Sequence, residues 1–520
     1  MVAWGHRGTT DANQNFGYST DEGWGAAAHW GDDMGWGPVV PKCGVWHHLV
    51  YTYDGARHNS VYCDGVLYNT YTLAGAGLIT FAADPILLGA QSDSGGGEIG
   101  SGQPLTAFLS VVRVESGVLN ASDVLNDYLE GPTASAPGSL QSISLNVPPL
   151  YFSGFSTPAV TANFGNKTNV DISRLASLVP SDTNVIQVLA DNSLQAVGHG
   201  SATVTATFLN AQTIQTVAVV ETLPPAQLIH RYSFSETQGT TNLVDSVGAA
   251  NGALEGATNA LFSNGQLTLP GGTANLDGTF NTAAAYVDLP SGLISSLTNA
   301  SFEAWVTWND QTTATLWERI FDFGTSIAGQ GLQNGGVSYL LLTPQSGNGV
   351  RAELRPLEGR PDEILETGAP LPLGTAAYVA VVYNYSLHDF SVFTNGLPAA
   401  SMTTTVPLSH VTDINDWLGR SQFEDPFFNG SYREFRTWAG ALTAAQIAQN
   451  YAAGPNVVPI PITLQAQLSG RNLILTWTGG SLLESANVAG PYAPVGGNPA
   501  SPYTVAATGR RMFYRAQASP

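Results

Sequence analysis

Short runs in which apolar and polar residues alternate recur along most of the chain. In residues 301–308 every second side chain is apolar, at Phe302, Ala304, Val306 and Trp308. Because successive side chains of a strand point to opposite faces, this period predicts a strand with one buried face. The 57 glycines and 30 prolines favour turns between such runs. The pattern predicts an all-β chain, with further strands over 142–145, 202–208, 228–235, 377–383, 390–394, 462–468, 472–477 and 512–516.

A segment near residue 120 recurs near residue 443. Residues 113–132 align without gaps to residues 436–455, and Arg, Gly, Leu, Ala, Tyr, Gly and Pro recur at identical spacing. Each copy predicts the end of a strand, a short helix that begins near Asn120 or Thr443, and a Gly-Pro stop. A period of more than 300 residues is far too long for a solenoid, so the repeat predicts two homologous domains.

The first of these domains is shorter than the second. Residues 47–53 match residues 377–383, which leaves the first copy without a counterpart of residues 226–319. This predicts that Met1 is an internal methionine and that a signal peptide was lost with a preceding part of the protein. The alternative is a naturally shorter domain. Linkers rich in small residues or proline are predicted at 134–139, 222–225 and 459–461.

Charge excludes two classes of partner. The chain has 39 acidic residues against 18 Lys and Arg, a net charge of −21, and its only lysines are Lys42 and Lys167. Such a chain repels phosphate backbones and anionic membrane surfaces, so we expect no nucleic-acid binding. No apolar run approaches 18 residues, so we expect no membrane insertion.

The two cysteines are predicted to be unpaired. Residues 46–53 and 60–67 form a predicted hairpin around Asp54-Gly55, which places Cys63 roughly opposite Tyr51. Cys43 then lies about eight residues further along its strand, at ~3.3 Å per residue. This separation is too long for a disulfide.

Short motifs in both domains carry a family resemblance. They include Trp-His-His-Leu-Val-Tyr-Thr-Tyr-Asp-Gly at 46–55, Phe-Glu-Ala-Trp at 302–305 and Trp-Leu-Gly-Arg-Ser at 417–421. These motifs resemble bacterial laminin-G-like domains of the concanavalin A-like group. Related motifs stand at 61–65, 230–234, 319–324 and 429–436.

The resemblance implies a specific all-β architecture. Residues 1–133 and 226–456 would be two concanavalin A-like jelly-roll sandwiches, the first N-terminally truncated. Residues 139–222 resemble a bacterial immunoglobulin-like domain, and residues 460–520 resemble a small C-terminal β-module. Such domains imply extracellular or cell-surface adhesion or glycan binding, without implying one chemistry.

Tryptophan is concentrated at the N-terminus, where five of the 11 tryptophans precede residue 47. Strand alternation places Trp24 and Trp30 on one face, and glycines flank Trp30 and Trp36. Large flat rings can stack on sugars, so Trp24, Trp30 and Trp36 are candidate ligand-binding residues. The alternative is a sandwich core packed with tryptophan.

Histidine and aspartate are also concentrated there. Imidazole and carboxylate groups can hold Zn²⁺ or Mn²⁺ and activate a bound water, which would make the chain a hydrolase. The candidate catalytic residues are His6, His29, His48, Asp32 and Asp33. No tight ligand spacing or known hydrolase motif supports this, and satisfied strand histidines are the alternative.

Asp245 and Asn251 resemble the turn where laminin-G-like domains hold a structural calcium. Aspartate, asparagine and loop carbonyls supply the six to eight oxygens that Ca²⁺ prefers. An Asx-turn without metal is the alternative.

The leading hypothesis is an extracellular multidomain protein that binds carbohydrate or mediates adhesion, with a glycan or cell-surface polysaccharide as its partner. The second hypothesis is a metal-assisted or carboxylate-based hydrolase with its site in the N-terminal domain, and the third is a structural spacer. Whether the chain is an enzyme stays open. Open strand edges of the truncated domain also predict a dimer.

Overall fold

The computed structural model describes most of the chain, and its elements confirm the all-β prediction. The chain divides into two compact units, Met1–Ala444 and Ala445–Pro520. The described residues are 2–6, 13–17, 27–28, 33–37, 41, 45–74, 77–79, 84–97, 105, 107–309, 315–357, 362–459, 464–477, 481–488, 490–497, 499–506 and 511–517.

The N-terminal part contains two small sheets, with strand orders β3-β2-β1-β7 and β4-β5-β6. Their core includes Phe16, Met34, Trp36, Val61 and Cys63. The elements are β1 (Val2–Gly5), β2 (Asn13–Phe16), β3 (Ala27–Ala28), β4 (Leu49–Tyr53), β5 (His58–Cys63), β6 (Val66–Thr72), β7 (Leu87–Leu88) and helix α1 (Ala121–Glu130).

The predicted hairpin in this part has a different register from the one expected. A second turn, at Asp64-Gly65, ends β5 where the sequence predicted that one strand continues to residue 67. Both turn residues have positive φ, 51° and 81°, as a type I′ turn requires. The first turn also differs, because Tyr53 pairs with Asn59 and the Asp54 amide donates to His58 O, so Cys63 lies opposite Leu49 rather than Tyr51. Cys63 is a free thiol, as predicted, and Cys43 lies outside the described residues.

The repeated segment forms the predicted helices. The Asn120 side chain caps α1 and accepts from the backbone of Ser122 and Asp123, while Asp123 bonds back to the Asn120 amide. This capping box satisfies amides that have no partner within the helix. Gly131 ends the helix with a positive φ of 66°. The second copy forms helix α2 (Ala444–Ala453).

The strand predicted before α1 does not form. Residues 107–118 lie in no strand, and most of their apolar side chains are exposed, with Phe108 87% exposed. The segment aligns with residues 430–441, most of which belong to a central strand of the second sandwich that pairs with three neighbours. Residues 107–118 lack such neighbours among the described residues, and strand formation requires a partner for each backbone N–H and C=O.

Residues 140–220 form small sheets around a core that includes Val160, Ile186, Leu194 and Val204 and that Leu129 of α1 also joins. Their assignment as an immunoglobulin-like domain stays a prediction. The strands are β8 (Leu140–Asn146), β9 (Leu150–Tyr151), β10 (Phe155–Ser156), β11 (Ala159–Phe164), β12 (Val170–Asp171), β13 (Ser177–Pro180), β14 (Ile186–Val188), β15 (Leu194–Ala196), β16 (Ser201–Phe208) and β17 (Ala211–Val220).

The largest sandwich consists of two eight-stranded sheets. The alternating residues Phe302, Ala304, Val306 and Trp308 all face its core, as predicted. One sheet contains β18 (Gln227–Tyr232), β21 (Leu261–Ser263), β22 (Gln266–Gly272), β24 (Asn299–Trp308), β29 (Ala376–Asn384), β30 (Asp389–Thr394), β31 (Leu397–Thr403) and β33 (Phe427–Ala439).

The second sheet, called here the cleft sheet, has the order β19-β20-β23-β32-β25-β26-β27-β28. Two 3₁₀ helices, Tyr385–Leu387 and Leu408–His410, lie in the loops of the sandwich. The strands of the cleft sheet are β19 (Asn242–Leu243), β20 (Gly252–Glu255), β23 (Tyr286–Leu289), β25 (Phe321–Ser326), β26 (Gly336–Thr343), β27 (Arg351–Arg355), β28 (Glu363–Glu366) and β32 (Asn415–Leu418).

The second unit contains two three-stranded sheets, with orders β34-β35-β38 and β37-β36-β39. Leu475, Trp477, Leu482 and Val495 form their core. The strands are β34 (Leu464–Ser469), β35 (Asn472–Trp477), β36 (Ser481–Ser485), β37 (Ala493–Pro494), β38 (Tyr503–Ala506) and β39 (Phe513–Gln517).

Candidate functional site

A cleft of about 340 Å³ opens on the outer face of the cleft sheet. Val287 and Leu289 of β23 face the core, so Asp288 between them points outward. The cleft lies between this face and the loops that follow β23 and β25. Its lining residues are Asn251, Ala253, Asp288, Leu289, Pro290, Ser291, Gln330, Gly331 and Asn415.

Asp288 is the carboxylate of the cleft. The Trp417 indole on the neighbouring strand β32 donates its Nε1–H to Asp288 Oδ1 at 3.0 Å. Burial raises the pKa of Asp288, and the indole hydrogen bond opposes that shift. The indole therefore fixes one carboxylate oxygen, so Asp288 can present the other to a ligand.

Asn415 holds the opposite wall of the cleft in place. Its Oδ1 accepts from the Gly331 amide at 2.8 Å, and its Nδ2 donates to Gly329 O at 3.1 Å. Ser291 and Gln330 at the rim are exposed. Amides, a hydroxyl and one carboxylate thus converge, and the lining contains no cationic side chain.

A buried arginine, Arg420, packs against Trp417, the residue that holds Asp288 of the cleft. The guanidinium of Arg420 lies 4.2 Å from the centre of the Trp417 ring and donates to Gln333 Oε1 at 2.7 Å and Tyr286 Oη at 2.9 Å. Burial lowers its pKa, against the effect of the Tyr286 hydroxyl. A buried guanidinium needs such partners, and these bonds hold it against the ring of Trp417, whose Nε1–H bonds to Asp288.

Asp245 and Asn251, the predicted calcium ligands, form a tight turn. Asp245 Oδ1 accepts from the amides of Arg231, Val247 and Gly248 at 3.0–3.1 Å. Its Oδ2 accepts from His230 Nδ1 at 2.7 Å and from the Ala250 amide at 3.1 Å. Five N–H donors saturate the carboxylate. This geometry favours the Asx-turn alternative, and calcium at this turn stays a prediction.

The same contacts control the ionisation of Asp245. Burial opposes the charged form, but the hydrogen bonds from the Arg231 amide, His230 and the following amides outweigh it and lower the pKa to about 2. Asn251 Oδ1 in turn accepts from the Asp245 amide at 3.0 Å. The two residues therefore act together to fix the loop that leads into the cleft.

The predicted tryptophan platform does not form at Trp36. This residue is 2% exposed and packs edge-on against Tyr68, with ring centres 5.9 Å apart. It belongs to the core, which corrects the expectation for this residue, because a buried ring has no free face for a sugar. Trp24 and Trp30 lie outside the described residues.

The predicted hydrolase residues do not converge in the described part of the chain. His6 Nε2 lies 3.1 Å from Asp84 Oδ2, whereas His48 stacks on Tyr128 with ring centres 6.2 Å apart. Burial lowers the pKa of His48. No group of three potential metal ligands among the described residues includes His6, His48 or Asp33. His29 and Asp32 lie outside the described residues.

The sequence did not reveal two groups that the structure brings together. Asp288, Gln330 and Asn415 of the cleft are far apart in sequence, and only strand pairing and loop packing bring them to one face. His47, Cys63 and Asp64 also meet, because the β4–β5 register pairs Leu49 with Cys63 and the second turn holds Asp64 against the His48 backbone. The Asp-Gly pair at 64–65 was the signal for that turn.

Residues 4–125 and 280–448, together more than half of the chain, match the concanavalin A-like lectin/glucanases superfamily, and the chain belongs to this family. No curated protein matches significantly. Among the described residues, no helix has the length and apolar character needed to span a membrane.

Several solved structures are similar to parts of the chain. Domain 4 of AbnA, an extracellular arabinanase from Geobacillus stearothermophilus in complex with arabinotriose, is 22% identical, with 44% of this chain and 98% of that chain covered and a TM-score of 0.34. The sialidase CBM40 of Ruminococcus gnavus, bound to α2,3-sialyllactose, is 16% identical over 35% and 95% of the two chains, with a TM-score of 0.28.

A third similar structure is that of botulinum neurotoxin type C, a toxin whose cell entry depends on interaction with two ganglioside molecules. It is 14% identical over 44% of this chain and 51% of that chain, with a TM-score of 0.32.

Proposed function

We propose that this chain is an extracellular carbohydrate-binding protein and that the cleft of its largest sandwich binds a neutral glycan. The observation that carries the proposal is the lining of the cleft. Asp288 offers a carboxylate oxygen, and Asn251, Ser291 and Gln330 offer exposed amide and hydroxyl groups. Such groups form hydrogen bonds with the vicinal hydroxyls of a sugar.

The charge of the site supports a neutral ligand rather than an acidic one. The lining contains one carboxylate and no arginine, lysine or histidine. The whole chain carries a net charge of −21. An anionic sugar in this cleft would be repelled by Asp288 and would find no cationic partner.

Pre-organisation supports the same site. Trp417 orients Asp288, and Asn415 fixes the Gly331 wall, each through hydrogen bonds of 2.8–3.1 Å. Groups that are already oriented lose little entropy on binding, which raises affinity without new contacts. The cleft therefore supports binding and offers no second carboxylate for acid–base hydrolysis.

Affinity gel electrophoresis of the full chain tests the proposal. The gels contain arabinan, xylan, β-glucan or galactan, with polygalacturonate as the acidic comparison. We expect retardation by at least one neutral polysaccharide and none by polygalacturonate. Asp288→Ala and Gln330→Ala should remove the retardation, while Asp277→Ala, an exposed aspartate outside the cleft, should keep it. Retention that survives both cleft substitutions would refute the site.

A further inference from the structure

Three metal-binding side chains meet at the end of the β4–β5 hairpin. His47 Nδ1 lies 2.7 Å from Asp64 Oδ2. Cys63 Sγ lies 3.5 Å from His47 Nδ1 and 3.4 Å from Asp64 Oδ2. Among the residues that the structure describes, this is the one group of three such side chains whose donor atoms lie within 4.8 Å of one another.

We propose that His47, Cys63 and Asp64 form a zinc site. Imidazole nitrogen, thiolate sulfur and carboxylate oxygen are the ligands that Zn²⁺ takes in proteins. Tetrahedral coordination at the usual bond lengths separates neighbouring ligand atoms by roughly 3.3–3.5 Å. Both distances from Cys63 Sγ already have this value, and the His47–Asp64 pair needs to open by about half an ångström.

The backbone holds the three ligands in place. Asp64 Oδ1 accepts from the His48 amide at 2.9 Å, and the Asp64 amide donates to His48 O at 2.9 Å. These bonds leave Asp64 Oδ2 directed at His47 and Cys63. Cys63 is buried in the N-terminal core, which fixes its sulfur from below. Hydrogen bonds that orient a ligand from its far side support metal affinity.

The exposure of two of the ligands also suits a metal. The Asp64 side chain is 31% exposed and that of His47 is 13% exposed, so a fourth position can be filled by water. On binding, Cys63 gives up its thiol proton to solvent and coordinates as thiolate. For His47 to coordinate through Nδ1, the proton that Nδ1 donates to Asp64 Oδ2 leaves that nitrogen for solvent, and the neutral ring carries its one proton on Nε2. The hydrogen bond between the two side chains is then replaced by one bond from each of them to the metal.

Two other histidine–aspartate pairs provide a contrast. His58 and Asp54 lie at the opposite end of the same hairpin, with Nδ1 2.5 Å from Oδ2, and His230 pairs with Asp245 at 2.7 Å. Neither pair has a third metal-ligating side chain within the same range among the described residues. His58–Asp54 is therefore a matched control for a site that requires the thiol.

Cobalt titration of the full chain tests the proposal. The protein is reduced, stripped with a chelator and titrated with Co²⁺, whose bond to a thiolate gives a charge-transfer band in the near ultraviolet. We expect about one Co²⁺ per chain with this band, and displacement of Co²⁺ by Zn²⁺. Cys63→Ser should abolish the band, and Asp64→Asn should weaken Co²⁺ affinity at least tenfold. Asp54→Asn and Cys43→Ser should leave both unchanged.

The variants distinguish metal binding at Cys63 from metal binding at Cys43. A band that survives Cys63→Ser, or that disappears in Cys43→Ser, would overturn the proposal. So would the absence of the band in stripped wild-type protein that keeps its far-ultraviolet circular dichroism. If Cys63→Ser fails to fold, Asp64→Asn decides the question, because it keeps the thiol and the shape of the turn while it weakens the carboxylate ligand.

Discussion

Replacement of Asp245 by asparagine should release the turn that leads into the cleft. The amide can keep its oxygen toward the amides of Arg231, Val247 and Gly248, but its NH₂ group then faces His230 and the Ala250 amide. Two hydrogen bonds to a charged acceptor are lost. At about 1.5–3 kcal/mol each, the local free energy of opening should fall by about 3–6 kcal/mol.

Hydrogen exchange measured by mass spectrometry reads this change directly. The amides of residues 231, 247, 248 and 250 are protected in the wild-type chain through their bonds to Asp245. In Asp245→Asn their exchange should accelerate about 100-fold or more, since each 1.4 kcal/mol is a factor of ten. Asp277→Asn, in an exposed loop of the same sandwich, should leave these amides protected.

Asp245 should also make the stability of the protein depend on pH. Its pKa is lowered to about 2, so its contribution to stability is fully present above the ordinary pKa of 3.8 and is lost as the pH falls toward 2. The contribution is about 2 kcal/mol. Asp245→Asn should lack this dependence.

Calcium separates the two interpretations of the turn. If the five N–H donors hold the carboxylate, neither millimolar calcium nor a chelator should change hydrogen exchange at these amides. Unaltered exchange in Asp245→Asn, or slower exchange in wild-type protein on addition of calcium, would refute the reasoning.

Three further predictions concern other parts of the chain. Trp36→Ala should destabilise the N-terminal core by about 3–5 kcal/mol, measured by denaturant unfolding, and leave polysaccharide retardation unchanged, since Trp36 is buried. Glycan binding should weaken on acidification, because burial raises the pKa of Asp288 and protonation removes its acceptor charge; retardation at constant strength from neutral to acidic pH would contradict this. Residues 107–118 should drive self-association, and Val114→Lys should shift sedimentation toward the monomer; equal sedimentation of both proteins would contradict this.

The sequence by itself determined the fold class, several strands and the ends of the helices. Phe302, Ala304, Val306 and Trp308 face the core because strand alternation is a local property that needs no partner to be recognised. Asn120 and Gly131 mark the two ends of α1 for the same reason, since capping depends on the adjacent backbone. The two homologous regions also followed from sequence alone.

The tertiary structure decided which side chains meet. Asp288 and Trp417 are 129 residues apart and become neighbours only through the pairing of β23 with β32. His47 reaches Cys63 because the β4–β5 register differs by two residues from the predicted one, and the geometry of the loop between these strands sets that register. Whether a tryptophan is a platform or a core residue, as for Trp36, depends on the packing around it. Pairing and packing are non-local, and a periodic pattern in one segment carries no information about them.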